Sequence, residues 1–458
     1  MLKTVDTYYF LGIGGIGMSA LARYWAAEGR CVMGYDRTRT ALTEQLEQEG
    51  ITVQYDDSLL GVQQLDKSTT LVVRTPAIPD DMPVYQWFKE QGFCIVKRAE
   101  LLGEVTKQKK ALCVAGTHGK TTTSTMLAHI LRQSHLGTNA FLGGIANNYD
   151  TNLLLDPACD NVVVEADEFD RSFHHLRPYI SIITSMDADH LDIYGTEDAY
   201  KESFEQYAGL VESALLIKHG LELNEDSLKA KRYHYAVNEK TDFYADNVRV
   251  KDGELHFDFH TPEQVVVDVM LGVPAWVNIE NGVAAMALAW LMGATEDELK
   301  AGMSSFRGVY RRFNVHVNCP DVVYIDDYAH HPAELRATIE SVRRLYPDRY
   351  VIGAFQPHLY TRTRDFAEDF ATVLSELSEL ALLPIYPARE EPIEGVNSEW
   401  LMQKVQVKRA LVLPAVLAKY LRERVKSIVG RGEQCVVLTM GAGDIGELVE
   451  EIKQTLTY

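Results

Sequence analysis

The chain has 458 residues, 46% of them hydrophobic and 24% charged, which suits about three domains of ~150 residues, each able to bury its own core. A formal net charge of -20 argues against a nucleic-acid partner, whose phosphates would be repelled at long range. Six cysteines lie far apart with no CxxC pair or Cys/His cluster, which points away from a zinc site or a disulfide framework and towards reduced, cytosolic usage.

The first residues run straight into an apolar stretch with no basic leader and no small-residue cleavage site, so no signal peptide is expected. Residues 7–13 predict a strand ending in a Gly-rich turn, 18–29 a helix, 31–35 a second strand and 71–74 a further one before a Pro-punctuated turn. That alternation implies a parallel sheet covered by helices. Residues 111–115 begin a second unit with another apolar strand and another Gly-rich turn. Continuously apolar 162–165 and 180–185 read as buried parallel strands. Between 242 and 271 the pattern shortens and alternates around Asp252-Gly253, which predicts a small antiparallel insert. The apolar run 283–292 falls short of the ~20 residues a membrane span needs, so it predicts a buried helix and no membrane partner. A third unit opens near Arg311, with strands expected at 322–325, 351–355, 381–385 and 436–440. The working architecture is α/β in three consecutive units, 1–107, 108–310 and 311–458.

Two Gly-rich turns follow strands. The first, Gly12-Ile13-Gly14-Gly15-Ile16-Gly17, has the GxGxxG spacing, with Asp36 after the next strand. Glycines there let the backbone approach a pyrophosphate at a helix N-terminus, and the carboxylate could take a ribose hydroxyl. The motif does not decide between NAD and another nucleoside diphosphate, and a tight turn without a ligand is the competing reading. The second turn is Gly116-Thr117-His118-Gly119-Lys120-Thr121-Thr122-Thr123. Its GKT core is that of a phosphate loop for ATP: backbone N–H groups cradle oxygens, Lys120 neutralises charge and Thr121 can ligate Mg²⁺. Val114 stands where the longer form of that motif has a glycine. Glu165, Asp187, Asp189 and His190 follow the next strands, where an open α/β sheet gathers its ligands. A dehydrogenase using NAD at the first turn would leave the second turn unexplained. A non-enzymatic nucleotide switch would bind ATP without making a product.

Taken in order, these residues resemble the Mur ligase family of peptidoglycan synthesis. The resemblance rests on GTHGKTTT, the run Glu165-Ala166-Asp167-Glu168 and Asp189-His190. It rests equally on GIGGIGMS at 12–19, Arg311-Arg312-Phe313, DDYAHHP at 326–332, Gln356-Pro357-His358 and GAGDI at 441–445. It implies a Rossmann-like N-terminal domain, a central phosphate-loop domain with a parallel sheet and the small insert, and a Rossmann-like C-terminal domain that closes over both. It also implies an ATP- and Mg²⁺-dependent ligase that phosphorylates the carboxylate of UDP-N-acetylmuramate and lets the amine of L-alanine attack the acyl phosphate. The enzyme would be cytoplasmic, and a monomer or weak homodimer. By the match, Gly12, Gly14, Gly15, Gly17, Met18, Ser19, Asp36 and His358 would hold the UDP-sugar. Gly116 to Thr122, Asn278, Asn281 and Arg312 would hold ATP, and Thr121, Glu165 and His190 the metal. Lys120, His330 and Arg362 would be catalytic.

Three departures from the family pattern matter. The adenine-side motif keeps Asn278 and Asn281 but lacks its glycine and histidine, the run being Ala275-Trp276-Val277-Asn278-Ile279-Glu280-Asn281. Leu359 replaces an arginine after His358, which puts more of that charge on Arg362. Glu205 stands at the spacing of a carbamylated lysine, and Lys201 is off register, so no carbamylation is expected.

Overall fold

Strands that are apolar along their whole length need cover on both faces, and this chain meets the need with three sheets. The computed structural model describes residues 5–187, 191–225, 228–251, 254–388 and 390–457. The first sheet contains β1 (Thr7–Leu11), β2 (Cys31–Tyr35), β3 (Thr52–Gln54), β4 (Thr70–Arg74) and β5 (Cys94–Lys97), ordered β3-β2-β1-β4-β5 and parallel throughout. Chain order reverses beside β1, so the glycine turn after it opens at a switch point, where such sheets bind ligands. The helix Ile16–Ala27 follows at once. It starts two residues before the sequence pattern suggests, because Gly15 already serves as its N-cap.

The second sheet holds β6 (Lys110–Ala115), β7 (Asn139–Ala146), β8 (Thr151–Leu154), β9 (Asn161–Ala166), β10 (Pro178–Ile183), β11 (Ala214–Lys218), β12 (Lys231–Val237), β13 (Phe243–Lys251), β14 (Glu254–His260) and β15 (Val265–Leu271). Their order is β15-β14-β13-β12-β11-β10-β6-β9-β7-β8. Central β6 lies between β10 and β9, parallel to both, while β8 runs antiparallel to β7. The central sheet is therefore mixed. Residues 242–271 add to this sheet rather than standing apart from it: β13 joins β12 in parallel, and β14 and β15 extend the same sheet. Strand addition satisfies the backbone groups that the edge of β12 would otherwise leave open. The turn expected at Asp252-Gly253 lies outside the described residues.

The third sheet is β16 (Asn314–Asn318), β17 (Val322–Asp327), β18 (Tyr350–Phe355), β19 (Glu379–Leu382), β20 (Lys408–Leu411) and β21 (Cys435–Met440), ordered β16-β17-β21-β18-β19-β20. All neighbours are parallel except β16 with β17. The strand expected at 381–385 sits earlier, because Pro384 has no N–H to continue the ladder.

By packing, the chain forms two compact units. One is Met1–Asp246 with Asp258–Val269 and Asn281–Ser305; the other is Asn247–Phe257 with Met270–Glu280 and Phe306–Tyr458. Within the first unit, one core runs from Tyr8, Leu21 and Trp25 through Cys113, Val162 and Phe204. Tyr8 stacks on Trp25 with ring centroids 4.6 Å apart, and Tyr24 meets Phe141 of β7 at 5.3 Å. Burying such aromatics stabilises by roughly 1.5–3 kcal/mol apiece.

Polar groups fasten the same seam. Arg23 is 7% exposed; it donates to Glu49 at 2.7 Å and to Asn152 of β8 at 2.9 Å. Asn152 in turn donates to Ile16 O at 2.6 Å and Ser19 Oγ at 3.1 Å. The start of the glycine-turn helix is thus bolted to the second sheet.

Candidate active site

The phosphate loop leaves the carboxyl end of β6 and enters the helix Lys120–Gln133. Gly116 and Gly119 take φ of +136° and +81°, conformations that a side chain would strain. This turns the loop back on itself, and Lys120 closes it. Its ammonium donates to Gly116 O at 2.6 Å, Thr117 O at 3.2 Å and Glu168 Oε2 at 2.7 Å. Thr121 Oγ1 donates to Glu165 Oε1 at 3.2 Å. The loop is braced by the segment after β10: His118 N donates to Ser185 Oγ at 2.7 Å, and Thr117 Oγ1 to Asp187 O at 2.7 Å. Thr122 is half-buried in the first turn of the helix. Asn281, expected on the adenine side, accepts from Thr123 Oγ1 at 3.1 Å and lies beside Gly119.

Four acidic residues in six positions at the end of β9 each take a different partner. Glu165 accepts from Thr121, Asp167 faces Arg98 at 3.4 Å, Glu168 holds Lys120, and Asp170 takes Lys97 at 2.7 Å. Burial pushes the Glu168 carboxyl up to about 7, even with Lys120 beside it. Burial pulls the Lys120 ammonium down, but Glu168, Asp167 and Glu165 outweigh it and hold its pKa above the ordinary value. An ammonium facing three carboxylates stays charged.

The hydroxyl of Thr121 and the carboxylate of Glu165 are hard oxygen donors of the kind Mg²⁺ accepts, so this pair fits the implied metal. His190, the third expected ligand, lies outside the described residues with Asp189. Among the described residues no group of three or more His, Cys, Asp and Glu could hold a metal ion.

The glycine turn is built from the first sheet. Gly12 N donates to Tyr35 O at 2.7 Å, and Gly15 N to Gly12 O at 3.2 Å. Asp36 accepts from Gly14 N at 2.8 Å and Thr38 N at 3.1 Å. Its carboxylate therefore fixes the turn itself. Met18 and Ser19 are buried behind it, Ser19 donating to Ile16 O at 2.9 Å. Gly17 faces Arg98: a Cβ there would stand 2.7 Å from Nη1.

In the second unit, the motifs after β17, β18 and β21 meet at the carboxyl edge of the third sheet. Gln356 Oε1 accepts from Ile445 N at 2.9 Å, joining the Gln-Pro-His run to the GAGDI run. Arg311 is a structural tie, its Nε 3.0 Å from Asp326 Oδ2 and its Nη2 2.8 Å from Gly441 O. Arg312 remains 30% exposed, 5.0 Å from the Tyr328 ring centroid and 3.9 Å from Glu334. His330 N donates to Glu334 at 3.0 Å, and the His330 and His358 rings meet edge to face at 5.8 Å. Burial holds the His330 imidazole below its ordinary pKa, with Glu334 opposing and Arg362 reinforcing. Burial likewise pushes Asp327 up to about 6. Arg362 lies on the short helix Tyr360–Asp365, whose N-cap Leu359 has φ of 70°. Asn278 donates to Val273 O at 3.4 Å.

Two features of the first unit have no sequence signal of their own: the grip of Glu168 on Lys120, and Arg98 over Gly17. Each joins residues dozens of positions apart.

Models of the Mur ligase middle domain match residues 114–289, of the Mur ligase family catalytic domain 7–110, and of the Mur ligase glutamate ligase domain 311–443. The chain belongs to the Mur ligase family. This Mur ligase is 54% identical to a UDP-N-acetylmuramate–L-alanine ligase of Parabacteroides distasonis, over 99% of this chain and 98% of that one. A protein of the same name from Porphyromonas gingivalis is 50% identical over 98% of each. Its fold matches the crystal structure of a UDP-N-acetylmuramate-alanine ligase from Thermotoga maritima with a TM-score of 0.81, at 26% identity and over 98% of each chain. A murein peptide ligase from Psychrobacter arcticus, 21% identical, shares the fold with a TM-score of 0.69 over 98% of each chain.

Proposed function

We infer that this Mur ligase joins L-alanine to the muramoyl carboxylate of UDP-N-acetylmuramate, with ATP converted to ADP and phosphate, as a step of peptidoglycan synthesis. One observation carries the reading: ligases of that name match the chain from end to end, and its phosphate loop sets Lys120 and Thr121 against Glu168 and Glu165.

A carboxylate oxygen of the sugar acid attacks the γ-phosphorus of ATP, the bond to the bridging oxygen breaks, and ADP leaves. The alanine amine then attacks the acyl carbon, loses a proton and expels phosphate through a tetrahedral intermediate. No enzyme nucleophile is needed. Phosphoryl transfer of this kind depends mainly on positioning and charge neutralisation. The loop N–H groups and Lys120 serve the phosphates, with Lys120 exchanging Glu168 for phosphate oxygens. Thr121, Glu165 and His190 are the proposed Mg²⁺ ligands; the bound ion supplies positive charge to the phosphates. Arg362 and the neutral His330 supply charge and hydrogen bonds to the reacting groups, and Asn278, Asn281 and Arg312 serve the nucleotide. Gly12, Gly14, Gly15 and Gly17 present the turn to the UDP diphosphate, with Asp36 and Met18-Ser19 supporting it and His358 on the sugar-nucleotide side. We place the reaction in the cytoplasm, consistent with six free cysteines, and no helix among the described residues is long and apolar enough to cross a membrane. A monomer or weak homodimer is the proposed state.

The test is phosphate release with UDP-N-acetylmuramate against a panel of amino acids and one preformed peptide. L-Alanine should lead, with glycine and serine behind it. A clear preference for any other amino acid, or for the peptide, overturns the assignment.

A further inference from the structure

Arg98 has no part in the chemistry above, yet it stands between the two ligand-bearing edges of the first unit. It opens the helix Arg98–Thr106 directly after β5, at the carboxyl edge of the first sheet. Its Nη1 and Cδ lie 2.7 and 3.2 Å from where a Cβ on Gly17 would stand. The guanidinium therefore packs on the first turn of the helix Ile16–Ala27, and only the missing side chain admits it. Its Nη2 reaches Asp167 Oδ2 at 3.4 Å, and the side chain is 25% exposed.

That single contact is long for a charge-assisted hydrogen bond, which runs nearer ~2.8 Å. The fork of donors suits a two-point contact with phosphate, and a weak partner is readily given up. Gly17, Arg98, Gly143, Glu165 and Asp167 line one cavity of about 240 Å³. A ligand held by its diphosphate at the glycine turn can thus extend past Arg98 towards Glu165.

We propose that Arg98 reads the diphosphate of the sugar nucleotide, exchanging its contact with Asp167 for phosphate oxygens at the N-terminus of the helix Ile16–Ala27. This rests on the reading of the first turn as the UDP-sugar site. Arg98 is then a specificity residue for one substrate and indifferent to the other.

The experiment uses the full chain. Binding of UDP-N-acetylmuramate without ATP is measured by calorimetry, with KM and kcat for both substrates, on wild type, Arg98→Ala, Arg98→Lys and Asp167→Asn. Arg98→Ala should weaken sugar-nucleotide binding and raise its KM by about 10- to 100-fold, as loss of one or two charge-assisted bonds implies, with the KM for ATP unmoved. Arg98→Lys should restore part of the loss. Asp167→Asn, which removes the competing charge, should keep or tighten sugar-nucleotide binding. If Arg98 only braces the two sheets, Arg98→Ala and Asp167→Asn will lower the melting temperature together and shift both KM values alike, which overturns the proposal. Normal wild-type binding with Arg98→Ala unchanged overturns it as well. Failure of the wild type itself to bind UDP-N-acetylmuramate would overturn the reading of the turn along with it.

Discussion

Glu168 Oε2 lies 2.7 Å from the Lys120 ammonium, and the Glu168 side chain is 2% exposed. An ion pair so deeply placed holds the phosphate-loop lysine in position before any nucleotide arrives. Lys120→Ala should lower ADP formation by about 10³-fold, or ~4 kcal/mol of transition-state stabilisation. Glu168→Gln removes the negative charge but keeps a side-chain oxygen that can accept from Lys120, and should cost about 10-fold in kcat, a smaller loss. Single-turnover phosphate release measures both; full activity of Lys120→Ala would contradict the role of the loop.

Gly143 lies against Glu165 so closely that a Cβ there would overlap the carboxylate. Gly143→Ala should push Glu165 away from Thr121 and raise the Mg²⁺ concentration for half-maximal rate by about 10-fold or more. Thermal stability should change little, because Gly143 is exposed. Magnesium titration of the initial rate decides it; an unchanged midpoint would take Glu165 out of the metal site.

Arg362→Ala separates chemistry from nucleotide binding. Arg362 is near enough to the His330 imidazole to act on it electrostatically, and its proposed role is to deliver charge to the reacting groups. The variant should lose about 100-fold in kcat, ~3 kcal/mol, with ATP affinity nearly intact. Equal losses in both, measured by turnover and by nucleotide titration, would reject that role.

Two buried groups contribute to the acid limb of stability. His129 is 2% exposed, 2.8 Å from Tyr149 Oη and 2.9 Å from Ser305 Oγ, and burial pulls its pKa from 6.5 down to about 4. The unfolded chain takes the proton first, so this contribution is complete above pH 6.5 and is lost as pH falls through about 4, on the order of 3 kcal/mol. His129→Asn should therefore be less stable at pH 7 yet lose less than wild type on acidification. Glu379, 1% exposed, accepts from Arg424 at 2.6 and 2.7 Å, from Tyr420 at 2.9 Å and from Lys408 at 3.0 Å. Burial opposes its charge, but these bonds outweigh it and draw the pKa from 4.5 to about 2. Its contribution is present above pH 4.5 and is lost as pH falls through about 2. Glu379→Gln should cost about 3 kcal/mol at neutral pH, because Arg424 is left half-paired. Urea midpoints across pH 3–8 test both.

Much of the fold could be read from the sequence because buried parallel strands are continuously apolar. Val162, Val163 and Val164 are fully buried, as is the run Val283 to Ala289. The joining of β13 to β12 could not be read, because strand addition depends on an open edge rather than on local pattern. At the candidate site the glycines and Lys120 stand out by their spacing. The partners of the acidic run do not: Asp167, Glu168 and Asp170 look interchangeable in sequence. Asp170 and Arg171, with φ of 51° and 55°, bend the chain just beyond β9. The three carboxylates thereby reach Arg98, Lys120 and Lys97, residues 69, 48 and 73 positions away. Gly143 reads as an ordinary strand glycine until the carboxylate crowding it is known.

The bolt of Arg23 and Asn152 bears on how freely the chain could trade parts with its relatives. This first sheet, moved onto another ligase, would lose the socket that Asn152 offers to Ile16 and Ser19, and would leave the buried Arg23 guanidinium facing an alien surface. Exchange at residue 107 would therefore fail unless the matching face of β8 travelled too. The unit that must be exchanged whole includes the seam, and it crosses the place where a sequence ruler would cut.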